Sequence, residues 1–319
     1  MSEDTFNSSP DGLATSGASD NYIPPKRTFL RRFGLAILFI WLVATFTLLK
    51  LPQTRITGLI QGYVQQGLDP FGVYISDQGR EFSILHGLRY TLTKPSIDLS
   101  DQTRIELDDL SVAPKLSALL SGKAGMVASL HQGPASIDID ASGRGDKIDL
   151  NATLVDVDIG KMGVLSYAAN LKGSGLVNGT IQVAGSLADP TTLEGSIDLK
   201  VKRLHLDEQN LMGFQLPPMN VSDGTINILV TGGKLVMKTV QLGKGSDDFV
   251  ATVTGDITLR RNVNSSLMNL RAVFGLSEKV KQSLSLLDTI LGGAKMADGR
   301  YAYKLTGSLS APFANPDPK

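Results

Sequence analysis

From Phe33 to Leu49 the chain reads FGLAILFIWLVATFTLL, seventeen residues with neither a charge nor a proline. As a helix this run spans roughly 26 Å, close to the hydrocarbon thickness of a bilayer, about 30 Å. Leu51 extends it past Lys50, whose stem can snorkel. Phe33, Leu38, Phe39, Trp41, Leu42, Phe46 and Leu49 mark the expected anchor. Lys26, Arg27, Arg31 and Arg32 stand before it, and only Lys50 and Arg55 follow nearby. The positive-inside rule therefore puts the N-terminus in the cytoplasm and the bulk of the chain outside. A cleaved signal peptide would carry a shorter apolar core and a small-residue cleavage site, which ATFTLLKLPQ lacks. A buried core helix would not be apolar on every face beside a polar tail. The sequence thus predicts a disordered cytoplasmic tail over 1–30, rich in Ser, Asp, Gly and Pro, and a transmembrane anchor over 31–51.

Beyond the anchor, Ile56, Leu59, Ile60, Tyr63 and Val64 fall at helical spacing, and Gly67 stops that short helix. From about residue 70 the period becomes two. Ile97-Asp98-Leu99, Ile105-Glu106-Leu107, Ile137-Asp138-Ile139, Ile148-Asp149-Leu150 and Ile181-Gln182-Val183 alternate apolar with polar. Ile197-Asp198-Leu199-Lys200-Val201, Ile226-Asn227-Ile228 and Ile257-Thr258-Leu259 continue the pattern. Strands of this kind have one wet face and one dry face, which suits antiparallel sheets. Leu235-Val236-Met237 is apolar throughout and reads as a strand buried on both faces. Gly179, Gly195, Gly224, Gly233 and Gly255 each precede an apolar strand position by two residues and are expected in turns.

Two or three helices are expected within this meander: Pro114 to Leu120, Ser277 to Leu291 and, as the third, Asp158 to about Asn170. The second carries Val280, Leu284, Leu287 and Leu291 in one stripe. The segment from Ala184 to Pro190 resembles that from Thr306 to Pro312, each after an alternating strand. That short repeat suggests two exported β modules, 52–170 and 171–319.

The chain contains no cysteine, which excludes disulfides, Cys-ligated zinc, iron–sulfur clusters and a Cys nucleophile. Its 31 basic and 31 acidic residues balance, which argues against a nucleic-acid binder. His86, His131 and His205 are too scattered for a zinc site. Gly173-Ser174-Gly175 begins like a dinucleotide loop, but Asn178 takes the third glycine position, and a β-turn is expected instead. Asp98, Asp138, Asp140 and Asp149 read as solvated strand-face carboxylates. Arg144-Gly145-Asp146 reads as a turn, and Asn151-Ala152-Thr153 and Asn178-Gly179-Thr180 are glycosylation sequons by pattern only. No catalytic residue, metal ligand or cofactor-binding residue is expected.

Several segments, in order, carry a resemblance: GLDPFGVYIS (67–76), LSALLSGK (116–123), GSGLVNGTIQVAGSLADPTTLEGSIDL (173–199) and YKLTGSLSAPFANP (303–316). Together they resemble the type II secretion system protein N family (GspN), in its longer form from diderm bacteria. The G-S-L-x-x-P endings are also similar to AsmA-like envelope proteins, with anchored, elongated β domains. The resemblance implies a non-enzymatic accessory component of type II secretion, single-pass in the inner membrane with a periplasmic C-terminal domain. It implies no cofactor and, as partners, the inner membrane and other secretion components.

The expected fold is mainly β: an N-terminal transmembrane helix, then an elongated antiparallel β domain with two or three short helices. Its apolar sheet face must be buried, by closing into a sandwich or roll, or by remaining an open groove. Ile97, Leu99, Ile105, Leu107, Ile137, Ile139, Ile181, Val183, Ile197 and Leu199 would line that groove or core. As a groove it would hold acyl chains, and the alternative function is lipid binding or transfer.

Overall fold

The computed structural model describes residues 74–83, 88–98, 104–169, 171–186, 188–211, 214–283 and 291–319. All lie in the unit Thr57–Lys319. The tail, the anchor with its basic flank, the helix expected at 56–64, His86 and Leu99 lie outside the described residues. Among the described residues no helix is long and apolar enough to cross a membrane.

Among the described residues, alternation of apolar and polar residues produces nineteen strands. They are β1 (Tyr74–Ser76), β2 (Gly79–Ser83), β3 (Arg89–Thr93), β4 (Ser96–Asp98), β5 (Arg104–Glu106), β6 (Asp109–Pro114) and β7 (Ala124–Gln132). Then come β8 (Ala135–Arg144), β9 (Lys147–Asp158), β10 (Gly173–Ser186), β11 (Glu194–Leu206), β12 (Gln209–Leu211) and β13 (Phe214–Leu216). The last are β14 (Met219–Thr231), β15 (Lys234–Leu242), β16 (Phe249–Thr258), β17 (Leu267–Leu276), β18 (Tyr301–Ser308) and β19 (Ala311–Pro316). Fourteen of them form one sheet in the order β2-β3-β6-β7-β8-β9-β10-β11-β14-β15-β16-β17-β18-β19. Every neighbouring pair is antiparallel. At about 4.8 Å per strand the sheet runs roughly 60 Å along its hydrogen bonds. β1, β4 and β5 form a small sheet of their own, and β12–β13 is a separate hairpin. The modules expected on either side of residue 170 share the large sheet, because β9 pairs with β10.

Directly paired residues share a face, so the register reveals what each face carries. One row crosses all fourteen strands: Phe82, Tyr90, Val112, Ala128, Ile139, Ala152, Ile181, Ile197, Ile228, Met237, Gly255, Leu270, Leu305 and Ala314. None of them is charged. On the opposite face the adjacent row reads Glu81, Thr91, Ser111, Ser129, Asp138, Thr153, Thr180, Asp198, Asn227 and Thr239. The sheet is therefore dry on one face along its whole described width, and wet on the other from β2 to β15.

Three expectations are corrected. Gly179, Gly195, Gly224 and Gly255 lie inside β10, β11, β14 and β16, and of the five only Gly233 sits in a turn. The reason is close backbone approach: a Cβ on Gly195, at φ +152°, would stand 1.9 Å from the Gln182 carbonyl oxygen of β10. Glycine here permits a long strand to bend against its neighbour. Leu235-Val236-Met237 is not buried on both faces. Leu235 and Met237 point to the dry face, while Val236 lies on the other face opposite Leu229 and Asp256, and all three are half-buried. Gly173-Ser174-Gly175 opens β10 rather than forming a turn, with a register shift against β11 between Ser174 and Leu176.

Two helices are shorter than the sequence suggests, α1 (Leu116–Leu120) and α2 (Val164–Ala169), and α3 is described over Glu278–Ser283. Pro114 ends β6 and Asp158 ends β9, and residues 284–290 lie outside the described set. The expected repeat is a recurring turn. Ser186 Oγ accepts from the Asp189 N–H at 3.2 Å, and Ser308 Oγ accepts from the Ala311 N–H at 3.2 Å.

The apolar face and its terminal chamber as the candidate functional site

Six expected groove residues come together on the dry face: Ile137 and Ile139 on β8, Ile181 and Val183 on β10, Ile197 and Leu199 on β11. All six are half-buried. Ile97 and Ile105 are not with them; they pair on the small sheet, in line with Ile75. Leu107, 4 % exposed, is core, and Leu99 is outside the described residues.

A second layer over this face would bury such side chains almost completely. Full burial is instead interspersed along it: Ala128, Ala152, Val230 and Leu270 of the same face are buried, while these six side chains are not. Val177, Val201, Leu204 and Val221 make a buried cluster, with Leu165 of α2 and Phe249 packed on its margin. Arg203, at φ +52°, separates Val201 from Leu204 so that both reach this cluster. Towards the C-terminal strands, Phe274 lies 5.5 Å from Tyr301 and 6.3 Å from Tyr303, ring centroid to centroid, with both pairs stacked. Tyr301 is fully buried, and Val280 of α3 is 1 % exposed.

At the other end the dry face of β2, β3 and β6 meets Ile75 of the small sheet. Between them lies a chamber of about 310 Å³ lined by Ile75, Phe82, Leu88, Tyr90, Leu92, Leu110, Val112 and Pro114. That size falls at the lower end of small-molecule sites, about 300 Å³ and above. The Tyr90 ring forms part of the wall, and its hydroxyl is buried with no hydrogen-bond partner among the described residues. Burial pushes this phenol above its ordinary value, only partly opposed by the nearby Arg80 guanidinium. A buried hydroxyl without a partner carries a desolvation penalty. A second hollow, about 340 Å³, surrounds Gly179 at mid-sheet, between Leu199, Ile226 and their polar strand neighbours.

Sequence reasoning missed this chamber. Arg89-Tyr90-Thr91-Leu92 and Leu110-Ser111-Val112 alternate as clearly as the strands that were read, so period two would have placed these side chains on one face. Their juxtaposition with Ile75 is set by the separate small sheet, which periodicity does not encode.

The wet face holds its carboxylates in local contacts. Lys115 Nζ donates to Asp140 at 2.6 Å and Ser129 Oγ donates to Asp138 at 2.6 Å, while on the small sheet Arg104 stands 3.8 Å from Asp98. Asn151 donates to Asp149 at 3.4 Å. His131 Nδ1 lies 2.9 Å from Asp109, and His205 Nδ1 lies 2.8 Å from Asn220 Oδ1. Asp146 of the Arg-Gly-Asp turn accepts from Ser186 Oγ at 2.8 Å, which draws its carboxyl below the usual range. Among the described residues no group of three or more His, Asp or Glu is placed to hold a metal ion. Among the described residues, what the dry face offers chemically is apolar area and the Tyr90 hydroxyl. No family model, characterised protein or solved structure matches the chain.

Proposed function

We propose that this β domain holds lipid acyl chains along an open apolar groove, with the chamber beside Tyr90 as an enclosed subsite. One observation carries the reading: a row of uncharged residues, one from each of fourteen strands, of which Ile139, Ile181 and Ile197 remain half-buried, as do Ile137, Val183 and Leu199 beside them. A half-buried apolar face of that extent keeps part of its area in water, and such area marks a ligand or interaction surface. Acyl chains suit it because they need no directional partner, and the face offers few. The Phe33–Leu49 run supports placing the domain beside an inner membrane, on the periplasmic side, where such chains are at hand. The reading is of a carrier or holder, not an enzyme.

The test is lipid analysis of the full-length chain extracted in mild detergent. Lipid should co-purify in a fixed ratio, and Ile139→Asp or Leu199→Asp should remove it while thermal unfolding stays cooperative. A lipid-free wild type would overturn the proposal. If the charged variants only unfold, Val183→Ser, a milder change on the same face, should still lower the lipid ratio.

A second reading, an accessory role in type II secretion, is supported by the segments on which the GspN resemblance rests. Two of them, 173–199 and 303–316, contain the serine-capped turns at 186–189 and 308–311, and another is the LSALLSGK stretch that includes α1. A deletion strain would then accumulate folded exoproteins in the periplasm, and unchanged export would remove this reading.

A further inference from the structure

We propose that Arg80 and Tyr90 form the polar end of the terminal chamber and bind the carbonyl oxygen of an esterified acyl chain, whose hydrocarbon lies in the chamber. The inference rests on the acyl-chain reading and adds which end of the ligand is recognised. Tyr90 Oη is buried without a partner among the described residues. Arg80 stands at the rim of the same face, on the edge strand β2. It pairs with Leu92, which pairs with Leu110, and both leucines line the chamber. The row continues from Leu110 across the remaining strands to Pro316, and a further row runs from Pro114 to Pro312. In these rows and in the one through Tyr90, Arg80 is the one charged side chain among the described residues.

A guanidinium on an apolar face is costly unless it is paired. Asp77, whose side chain is 5 % exposed, supplies the pairing: Arg80 Nε donates to both carboxylate oxygens, at 3.0 and 2.7 Å. That contact uses one nitrogen and fixes the plane of the fork. The Nη groups carry the remaining N–H donors, and they have no acceptor among the described residues. The Arg80 side chain is 34 % exposed, which leaves those donors within reach of a ligand. Tyr90 is the diagonal neighbour of Arg80 across β2 and β3, a spacing that long and aromatic side chains bridge. Burial, only partly opposed by Arg80, raises the phenol's pKa and so keeps it a donor.

Charge balance decides what these donors suit. Asp77 cancels Arg80, so this corner offers hydrogen-bond donors without net positive charge. A phosphate or carboxylate head draws its strength from a charged partner, and here it would also meet the Asp77 carboxylate. An ester carbonyl is uncharged and accepts two hydrogen bonds on one oxygen, one from the Tyr90 hydroxyl and one from the Arg80 fork. An apolar chamber with a few placed polar groups at one end is how a small-molecule site fixes orientation. The ester would sit at the rim beside β2, and its chain would run past Phe82 and Val112.

The delipidated full chain is held in amphipol with the methyl ester of cis-parinaric acid as fluorescent reporter. Methyl palmitate should displace the reporter about tenfold more effectively than hexadecane, and palmitate and hexadecyl phosphate should be weaker than the ester. Tyr90→Phe, which keeps the ring, should remove most of the ester's advantage. It should also raise the carbonyl stretching frequency of the bound ester, because a hydrogen bond lowers it. Arg80→Lys, which keeps a cation beside Asp77 but loses the fork, should remove part of the advantage. Comparison with the variants cancels partitioning into the amphipol. If Tyr90→Phe leaves both the advantage and the carbonyl band unchanged, the inference falls. Tighter binding of palmitate or of the phosphate overturns it in favour of an anion site. A reporter that does not bind defeats the acyl-chain reading, while one that binds and is displaced equally by all four competitors defeats this inference alone.

Discussion

Asp156 and Asn178 fasten each other across β9 and β10. The Asp156 N–H donates to Asn178 Oδ1 at 3.0 Å, and Asn178 Nδ2 donates back to Asp156 Oδ1 at 2.9 Å. Asp156 sits at φ +47°, left-handed space that disfavours residues other than glycine. The pairing of β9 with β10 shifts register at this point, so that Val157 opposes Val177 beyond the shift and Leu154 opposes Gly179 before it. The reciprocal pair thus maintains a bulge that keeps both Leu154 and Val157 on the dry face.

Asn178→Ala removes both hydrogen bonds and leaves Asp156 in a strained conformation. The expected loss is about 1–3 kcal/mol, read from chemical denaturation. Asp156→Gly, which relieves the strain, should recover part of that loss in the Asn178→Ala background. If the two substitutions simply add, the reciprocal lock is not what holds the bulge.

Tyr90→Phe tests the chamber from inside. Removing a buried hydroxyl that has no partner among the described residues should leave the lipid-free protein as stable, or more stable by about 1 kcal/mol. The folded phenol's pKa is raised by burial. Its contribution is therefore present below the unfolded value, near 10, and is lost as pH rises through the folded value. Wild type should lose stability on the alkaline side more steeply than Tyr90→Phe. Parallel alkaline limbs would mean that the hydroxyl is solvated in the folded state.

Asp248 does the opposite job at the acid end. Its carboxyl is held below the usual range first by the Asn220 N–H, at 3.0 Å, and then by Ser277 Oγ, also at 3.0 Å. It links the β15–β16 connection to the start of β14 and to the residue before α3. With a depressed folded pKa, the stabilisation is present above the unfolded value, near 3.9, and fades as pH falls through the folded one. Asp248→Asn should flatten the acid limb of a stability–pH profile. An unchanged limb would assign acid sensitivity to other carboxylates.

How much of this was legible follows from what kind of information each feature needs. Ile181-Gln182-Val183 and Ile197-Asp198-Leu199 announce their faces because a strand's side chains alternate regardless of partner. Sequential antiparallel pairing then puts Ile181 opposite Ile197, as a meander requires. The bends were not legible: a glycine two residues before an apolar residue looks alike in a turn and in a strand crowded by its neighbour. Nor was the Asp156 conformation, which depends on a side chain twenty-two residues away. The state of the dry face was left open between core and groove, since one strand's pattern does not say what lies above it.

Gly195→Ala measures the crowding directly. The new methyl would meet the Gln182 carbonyl oxygen at 1.9 Å and would also require a positive φ. Backbone cannot yield as a side-chain tip does, so β10 and β11 would have to separate locally. A loss of about 2–4 kcal/mol is expected, together with faster amide exchange along the β10–β11 ladder. Gly245→Ala, where a Cβ meets nothing within 4 Å, is the control and should be near neutral.

Val112→Phe separates occupancy from stability. Val112 lines the chamber on β6, paired with Tyr90 on one side and Ala128 on the other. A phenyl ring there would extend into about 310 Å³ of apolar space. Filling such a space commonly stabilises a fold by about 0.5–2 kcal/mol, whereas placing a charge on the dry face destabilises it. If the chamber holds an acyl chain, Val112→Phe should melt at the same or higher temperature and yet retain less co-purified lipid. Lipid content that survives the ring would place the bound chains elsewhere on the dry face. A lowered melting temperature would mean that the chamber closes in solution and has no room for the ring. Opposite movement of stability and occupancy is the signature of a cavity kept open for a ligand, because a core residue moves both together.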